Sequence, residues 1–163
     1  MSKQQLIAQL QLEPHVEGGY FKRTYQSDDQ PMIDTEVGQR LRISSIHYML
    51  TDDAPIGRWH VNRSDILHFY HLGDPINYYL IDPAGNLSTH VLGPDPRLGH
   101  TLQLVVKAGS WKASKLQSGS FGLLSEAVCP GFEYQDMQLG QRAQLLAQFP
   151  QHQQLIRDFS IEA

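Results

Sequence analysis

The stretch Gly57-Arg58-Trp59-His60-Val61-Asn62-Arg63-Ser64-Asp65-Ile66-Leu67-His68-Phe69-Tyr70-His71-Leu72-Gly73-Asp74-Pro75 decides how this chain folds. It reads as two short strands, Arg58 to Arg63 and Ile66 to Leu72, joined at a Ser-Asp turn and closed by Gly-Asp-Pro. Alternate residues of a strand share a face. Arg58, His60, Asn62 and Ser64 therefore point one way, and Trp59, Val61 and Arg63 the other. On the second strand His68 and Tyr70 share a face, while Phe69 and His71 take the opposite one. Adjacent strands of this parity bring His60 and His68 within reach of one ligand or metal and turn His71 away.

The same texture extends outward. Leu41 to Leu50, Ile76 to Ile81, Leu87 to Leu92, His100 to Val106, Ser110 to Ser114 and Phe121 to Val128 are short and rich in strand formers. Turn signals such as Asp82-Pro83-Ala84-Gly85-Asn86 and Gly93-Pro94-Asp95-Pro96 separate them. Many short strands at spacings of roughly 8–12 residues predict an all-β sandwich or barrel. Ser2 to Leu12 reads as a helix capped by Ser2 and stopped before Pro14. Glu17-Gly18-Gly19 reads as a turn that positions the strand from Tyr20, with Glu17 closing over a pocket as the second reading. Ser27 to Gln39 is polar and reads as a loop. Gln138 to Phe149 and Gln151 to Phe159 carry helical periodicity on either side of Pro150.

Composition removes several classes. Of 163 residues, 40% are apolar and 18% charged, which excludes a coiled coil, a collagen-like chain and a disordered tail. A pI near 6.0 offers no basic field to nucleic acid. The single Cys129 permits neither an internal disulfide nor a Cys-rich zinc site, and reads as an inert thiol. No apolar run approaches the roughly 20 residues that cross a bilayer. Met1-Ser2-Lys3-Gln4-Gln5 lacks a signal-peptide core, so a cytoplasmic location is expected. The two sequons, Asn62-Arg63-Ser64 and Asn86-Leu87-Ser88, are then chance matches. Phosphate-loop, dinucleotide, nucleophile-elbow and H-E-x-x-H signatures are all missing.

Gly57 to Pro75 resembles the first motif of the cupins, and Lys107-Ala108-Gly109-Ser110-Trp111-Lys112 resembles the second. The closer similarity is to the small "cupin five" family. It is carried by Pro14-His15-Val16-Glu17-Gly18-Gly19-Tyr20, Trp59-His60 with Ser64-Asp65, Phe69-Tyr70 before Gly73-Asp74-Pro75, and Cys129-Pro130-Gly131-Phe132-Glu133-Tyr134. The tail from Leu139-Gly140 to Leu155-Ile156 also fits. The resemblance implies an all-β jelly-roll barrel (double-stranded β-helix) with short N- and C-terminal helices, in one domain over residues 1–163. Its parts are a helix at about 2–12, the barrel at about 19–135 and helices at about 138–159. A homodimer with a small-molecule pocket inside each barrel is also implied, with no nucleic-acid or membrane partner.

A metal-binding cupin supplies His-x-His, an acid three or four residues on, and a histidine from the second motif. Here His60 keeps the first place, while Asn62, Ile66 and Lys112 occupy the others. One imidazole, one amide, one aliphatic chain and one ammonium do not make a transition-metal site, so no metal and no cofactor are expected. His60 is then the expected acid or base, because imidazole titrates near neutral pH. Glu133, after the Pro130-Gly131 turn, is its candidate catalytic companion. Asn62, His68, Tyr70, Trp111, Lys112 and Tyr134 are the candidate substrate-binding residues, with aromatics to stack on a ring and Lys112 to attract an anion. An inward Lys112 needs a partner, since an unpaired ammonium in a dry barrel is costly. The favoured function is metal-independent binding, with isomerisation or epimerisation, of a sugar-like or anionic metabolite. A metal-dependent oxygenase or isomerase and a non-catalytic ligand sensor stand as alternatives.

Overall fold

A computed structural model describes residues 1–160. Its strands are β1 (Glu13–Pro14), β2 (Tyr20–Gln26), β3 (Ile33–Thr35), β4 (Gly38–Arg40), β5 (Ser44–Thr51), β6 (Ile56–Asn62) and β7 (Asp65–Gly73). Then come β8 (Ile76–Ile81), β9 (Leu87–Leu92), β10 (Gln103–Val106), β11 (Trp111–Leu116), β12 (Phe121–Cys129) and β13 (Met137–Leu139). Helix α1 (Lys3–Leu10) precedes them, and α2 (Arg142–Gln148) and α3 (Gln153–Phe159) follow. The larger strands form two sheets, ordered β1-β2-β5-β12-β7-β10 and β13-β6-β11-β8-β9. They stack as the expected jelly-roll sandwich.

Strand parity divides the core into three layers. Tyr48, Leu50, Leu104, Val106 and Leu124 from one sheet meet Ile76, Tyr78, Leu80, Leu92 and Leu116 from the other, filling one end of the lumen. Trp59, Ile81, Trp111 and Ala113 face outward from the second sheet and are covered by Leu145, Phe149, Ile156 and Phe159 of the C-terminal helices. Trp59 is fully buried there, and its indole Nε1–H donates to the Leu155 carbonyl at 3.1 Å. Leu6 of α1 joins Leu12, Met49 and Leu123 on the outer face of the first sheet. The helix opens with a capping box: Ser2 Oγ accepts from Gln5 N–H, and Gln5 Oε1 accepts from Ser2 N–H. It ends at a left-handed Gln11, short of Pro14.

Several boundaries differ from the sequence reading, most of them by a few residues at strand and helix ends. Residues 137–139 form a strand where a helix start is expected, because Met137 to Leu139 pair with Asn62 to His60 and cover the open edge of β6. The C-terminal helices therefore begin only at Arg142 and Gln153. The polar stretch after Ser27 carries a small hairpin, with Ile33 opposite Arg40. Arg40, nearly buried, makes paired bonds to the Asp136 carboxylate at 2.6 and 2.8 Å, tying this hairpin to the segment before β13.

A buried acid–base cluster in the lumen

Two register pairs build the polar end of the lumen. On β6 and β11, His60 lies opposite Lys112. On β7 and β12, His68 lies opposite Glu126. All four side chains point inward and are almost completely buried. Glu17 arrives from the β1–β2 turn and is 5% exposed. Gly18 makes that approach possible. Its φ is +103°, and a Cβ there would sit 2.1 Å from the Ile56 carbonyl oxygen. The turn therefore positions β2 and also delivers a carboxylate into the lumen.

Hydrogen-bond counting fixes the protons. His60 Nδ1 lies 2.7 Å from the Arg58 carbonyl, which only accepts, so Nδ1 carries hydrogen. His60 Nε2 is 2.9 Å from Glu17 Oε2, and that contact holds one further proton. Burial alone would push the Glu17 carboxyl up, but His60 first, and Lys112 beyond it, outweigh it and hold it below its ordinary value. The proton therefore sits on His60, giving an imidazolium–carboxylate pair. His15 accepts the Glu17 backbone N–H at its Nδ1 and is neutral, its pKa lowered by burial.

The second cluster resolves in the same way. Lys112 Nζ lies 2.7 Å from His68 Nε2 and 3.2 and 3.3 Å from the two Glu126 oxygens, and Glu126 Oε1 lies 3.1 Å from the same His68 nitrogen, so the ammonium sits between the two acceptors. An ammonium has only donors, so His68 Nε2 accepts and His68 is the neutral Nδ1–H tautomer. Burial first, then Lys112, depress its pKa. Burial opposes ionisation of Glu126, yet the Lys112 ammonium holds its carboxyl well below the usual range. Lys112 is thus the ionic link between the two sheets. His68 Nδ1, Tyr78 OH and Asn62 Oδ1 are buried without a protein partner.

Beside these groups lies a cavity whose polar lining is His15, Glu17, His60, Asn62 and Glu126, with Arg23, Ser44 and Ser45 also polar, and with Phe21, Ile46, Ile66, Val128, Phe132, Tyr134 and Met137 as its less polar walls. The cavity has a volume of about 40 Å³. That is room for about three waters. Tyr134, 52% exposed, stands at the rim with its ring stacked 6.5 Å from His15. Residues 4–140 match the family described as Cupin superfamily (DUF985). The chain belongs to this cupin family. An uncharacterized protein from Saccharomyces cerevisiae is 38% identical to the cupin over 148 residues, covering 83% of this chain and 73% of the relative. A hypothetical protein from Leishmania major superposes with a TM-score of 0.92 at 29% identity, covering 99% of this chain and all of that one. The oxalate decarboxylase of Bacillus subtilis shares the fold, with a TM-score of 0.57 at 12% identity over 90% of this chain and 36% of its own.

The residues at the usual metal-ligand places of a cupin do not fit a metal. Asn62 offers one amide oxygen, Ile66 offers nothing, and Lys112 places an ammonium inside the lumen. Among the described residues no three His, Cys, Asp or Glu side chains converge on a metal position. No helix among them is long and apolar enough to cross a membrane.

Of the residues singled out from sequence, the structure gathers His60, Asn62 and Tyr134 at the cavity, with His68 and Lys112 packed behind Glu126. Glu133 is exposed and does not line the cavity, although its neighbours Phe132 and Tyr134 do. Trp111 packs under the C-terminal helices, on the opposite side of β11 from Lys112. Tyr70 donates its hydroxyl to the Gly73 carbonyl at 2.6 Å, away from the cavity. His71 is exposed and bonds Ser125 on the outer face. Glu17 and Glu126 are the carboxylates that line the cavity. Glu126 carries a sequence signal, since it shares strand parity with the inward residues Leu124 and Val128.

Proposed function

We propose that this cupin binds a small polar metabolite in the lumen and transfers a proton on it, as in an isomerisation or epimerisation, without a metal. The observation that carries the reading is the buried His60–Glu17 pair at the cavity wall, its Nε2 and Oε2 2.9 Å apart and joined through one proton. The Arg58 carbonyl fixes the imidazole's tautomer and ring orientation, which is what a general acid–base group requires. Glu17 keeps a second oxygen for substrate, while Glu126 presents a second carboxylate to the same space. Two acid–base groups around one small ligand suit proton removal and return at a carbon next to a carbonyl.

The test works with an unidentified substrate. Protein is incubated in deuterated water with a small-molecule extract, and mass spectrometry follows carbon-bound deuterium. The reading expects a metabolite that gains deuterium with wild-type protein and fails to do so with His60→Asn. A metabolite retained by the protein but never labelled would make the lumen a capture site. Equal labelling by His60→Asn would defeat the role given to His60.

A further inference from the structure

We infer that the lumen cavity takes an uncharged ligand that donates a hydrogen bond to Asn62 Oδ1, and that it discriminates against anions. This rests on the reading of the cavity as a small-molecule site. Three observations carry it.

The first is charge balance. Lys112 is inward-facing, but its charge is matched by Glu126 at 3.2 Å, and the Glu17 carboxylate is matched by His60 at 2.9 Å. His15 and His68 each accept at one ring nitrogen, from the Glu17 N–H and the Lys112 ammonium, and so are neutral. The four ions sum to zero. An anion entering would give up its water with no unmatched cation among the described lumen residues to receive it, a heavy penalty in a buried site. Arg23, the remaining charged side chain of the lining, is exposed and bonded to Gln26 at 2.8 Å, where solvent screens it.

The second is the orphaned acceptor. Asn62 Oδ1 belongs to a cavity-lining residue and is shielded from solvent without a donor. A buried acceptor left unmade is costly, and a ligand N–H or O–H would satisfy it. The third is the wall. Ile46, Ile66, Val128 and Phe132 offer contact area and no compensating charge.

The test uses three planar probes of nearly equal shape and about four heavy atoms each, matched to the space of about three waters. They are acetamide, acetate and acetamidinium. Each is titrated into wild-type protein while ¹H–¹⁵N NMR follows the Asn62 side-chain amide and the His60 and Met137 backbone amides. Acetamide is expected to saturate these shifts at concentrations about tenfold below acetate. Asn62→Leu is expected to weaken acetamide and leave acetate unchanged. Glu126→Gln leaves Lys112 unmatched and is expected to invert the order in favour of acetate; if that variant does not fold, the wild-type order alone decides. Acetate or acetamidinium binding wild type as tightly as acetamide overturns the inference but leaves a ligand pocket standing. If none of the three moves the signals, the pocket reading itself falls.

Discussion

Replacing Glu126 by Gln strands the Lys112 ammonium in the lumen without a counter-charge. The ammonium lies 3.2 and 3.3 Å from the two carboxylate oxygens, with both residues almost fully buried. At an effective dielectric constant of about 20, unit charges at that separation attract by about 5 kcal/mol. Measured losses on breaking a buried pair are of similar size, about 3–5 kcal/mol, because one charge is left desolvated. Glu126→Gln and Lys112→Met should therefore each lose about 3–5 kcal/mol of stability. The double variant removes both charges together, and an amide at 126 still reaches His68 Nε2. It should lie within about 1 kcal/mol of wild type. Urea unfolding at neutral pH, with the slope unchanged among variants, gives all three values. Single losses below about 1 kcal/mol, or a double variant equal to their sum, would refute the ionic link between the sheets.

Acid should destabilise the fold in two stages. His15 and His68 have folded pKa values below 6.5, so each binds a proton on unfolding, and stability falls as pH drops below about 6.5. Glu17 and Glu126 are depressed from 4.5, and their contribution is lost as pH falls further through their folded values. The slope is about 1.4 kcal/mol per pH unit for each titrating group, and a melting temperature that stays level from about pH 7 to about pH 5 would contradict this. Gly18→Ala forces a Cβ against the Ile56 carbonyl oxygen at 2.1 Å and should lose at least about 2 kcal/mol in urea unfolding, with Glu17 displaced from His60. Trp59→Phe deletes the bond to the Leu155 carbonyl, and should cost about 1 kcal/mol and speed amide exchange in α3. Protein purified without chelator should carry far less than one transition metal per chain, and a stoichiometric metal by elemental analysis would overturn the donor-set argument.

Period-two alternation made most of the sandwich legible. Ile76–Ile81 and Leu87–Leu92 have the bounds their sequence predicts, and the parity of residues 58–63 puts His60 and Trp59 on opposite faces, which the structure resolves as lumen for His60 and helix-covered outer face for Trp59. β13 was not legible, because three residues carry no periodicity and the strand exists only through pairing with β6. Parity also separates residues that motif grouping puts together. Trp111 and Lys112 are neighbours on one strand and cannot both face the lumen. Glu133 and Tyr134 lie in an aperiodic turn, and nothing in their spacing tells which of them reaches the cavity. Glu126 sat in plain view as a charged residue at an inward strand position. Glu17 lies in an aperiodic turn, and only the Gly18 backbone conformation explains how its carboxylate reaches His60.

The most direct measurement is the protonation state of the lumen histidines, read by long-range ¹H–¹⁵N NMR of the imidazole rings near pH 7. The geometry predicts that His60 carries hydrogen on both ring nitrogens, that Glu17→Gln removes the one on Nε2, and that His68 is the neutral Nδ1–H tautomer. A His60 with a bare Nε2 in the wild-type protein would contradict the buried ion pair and the proton-transfer chemistry built on it.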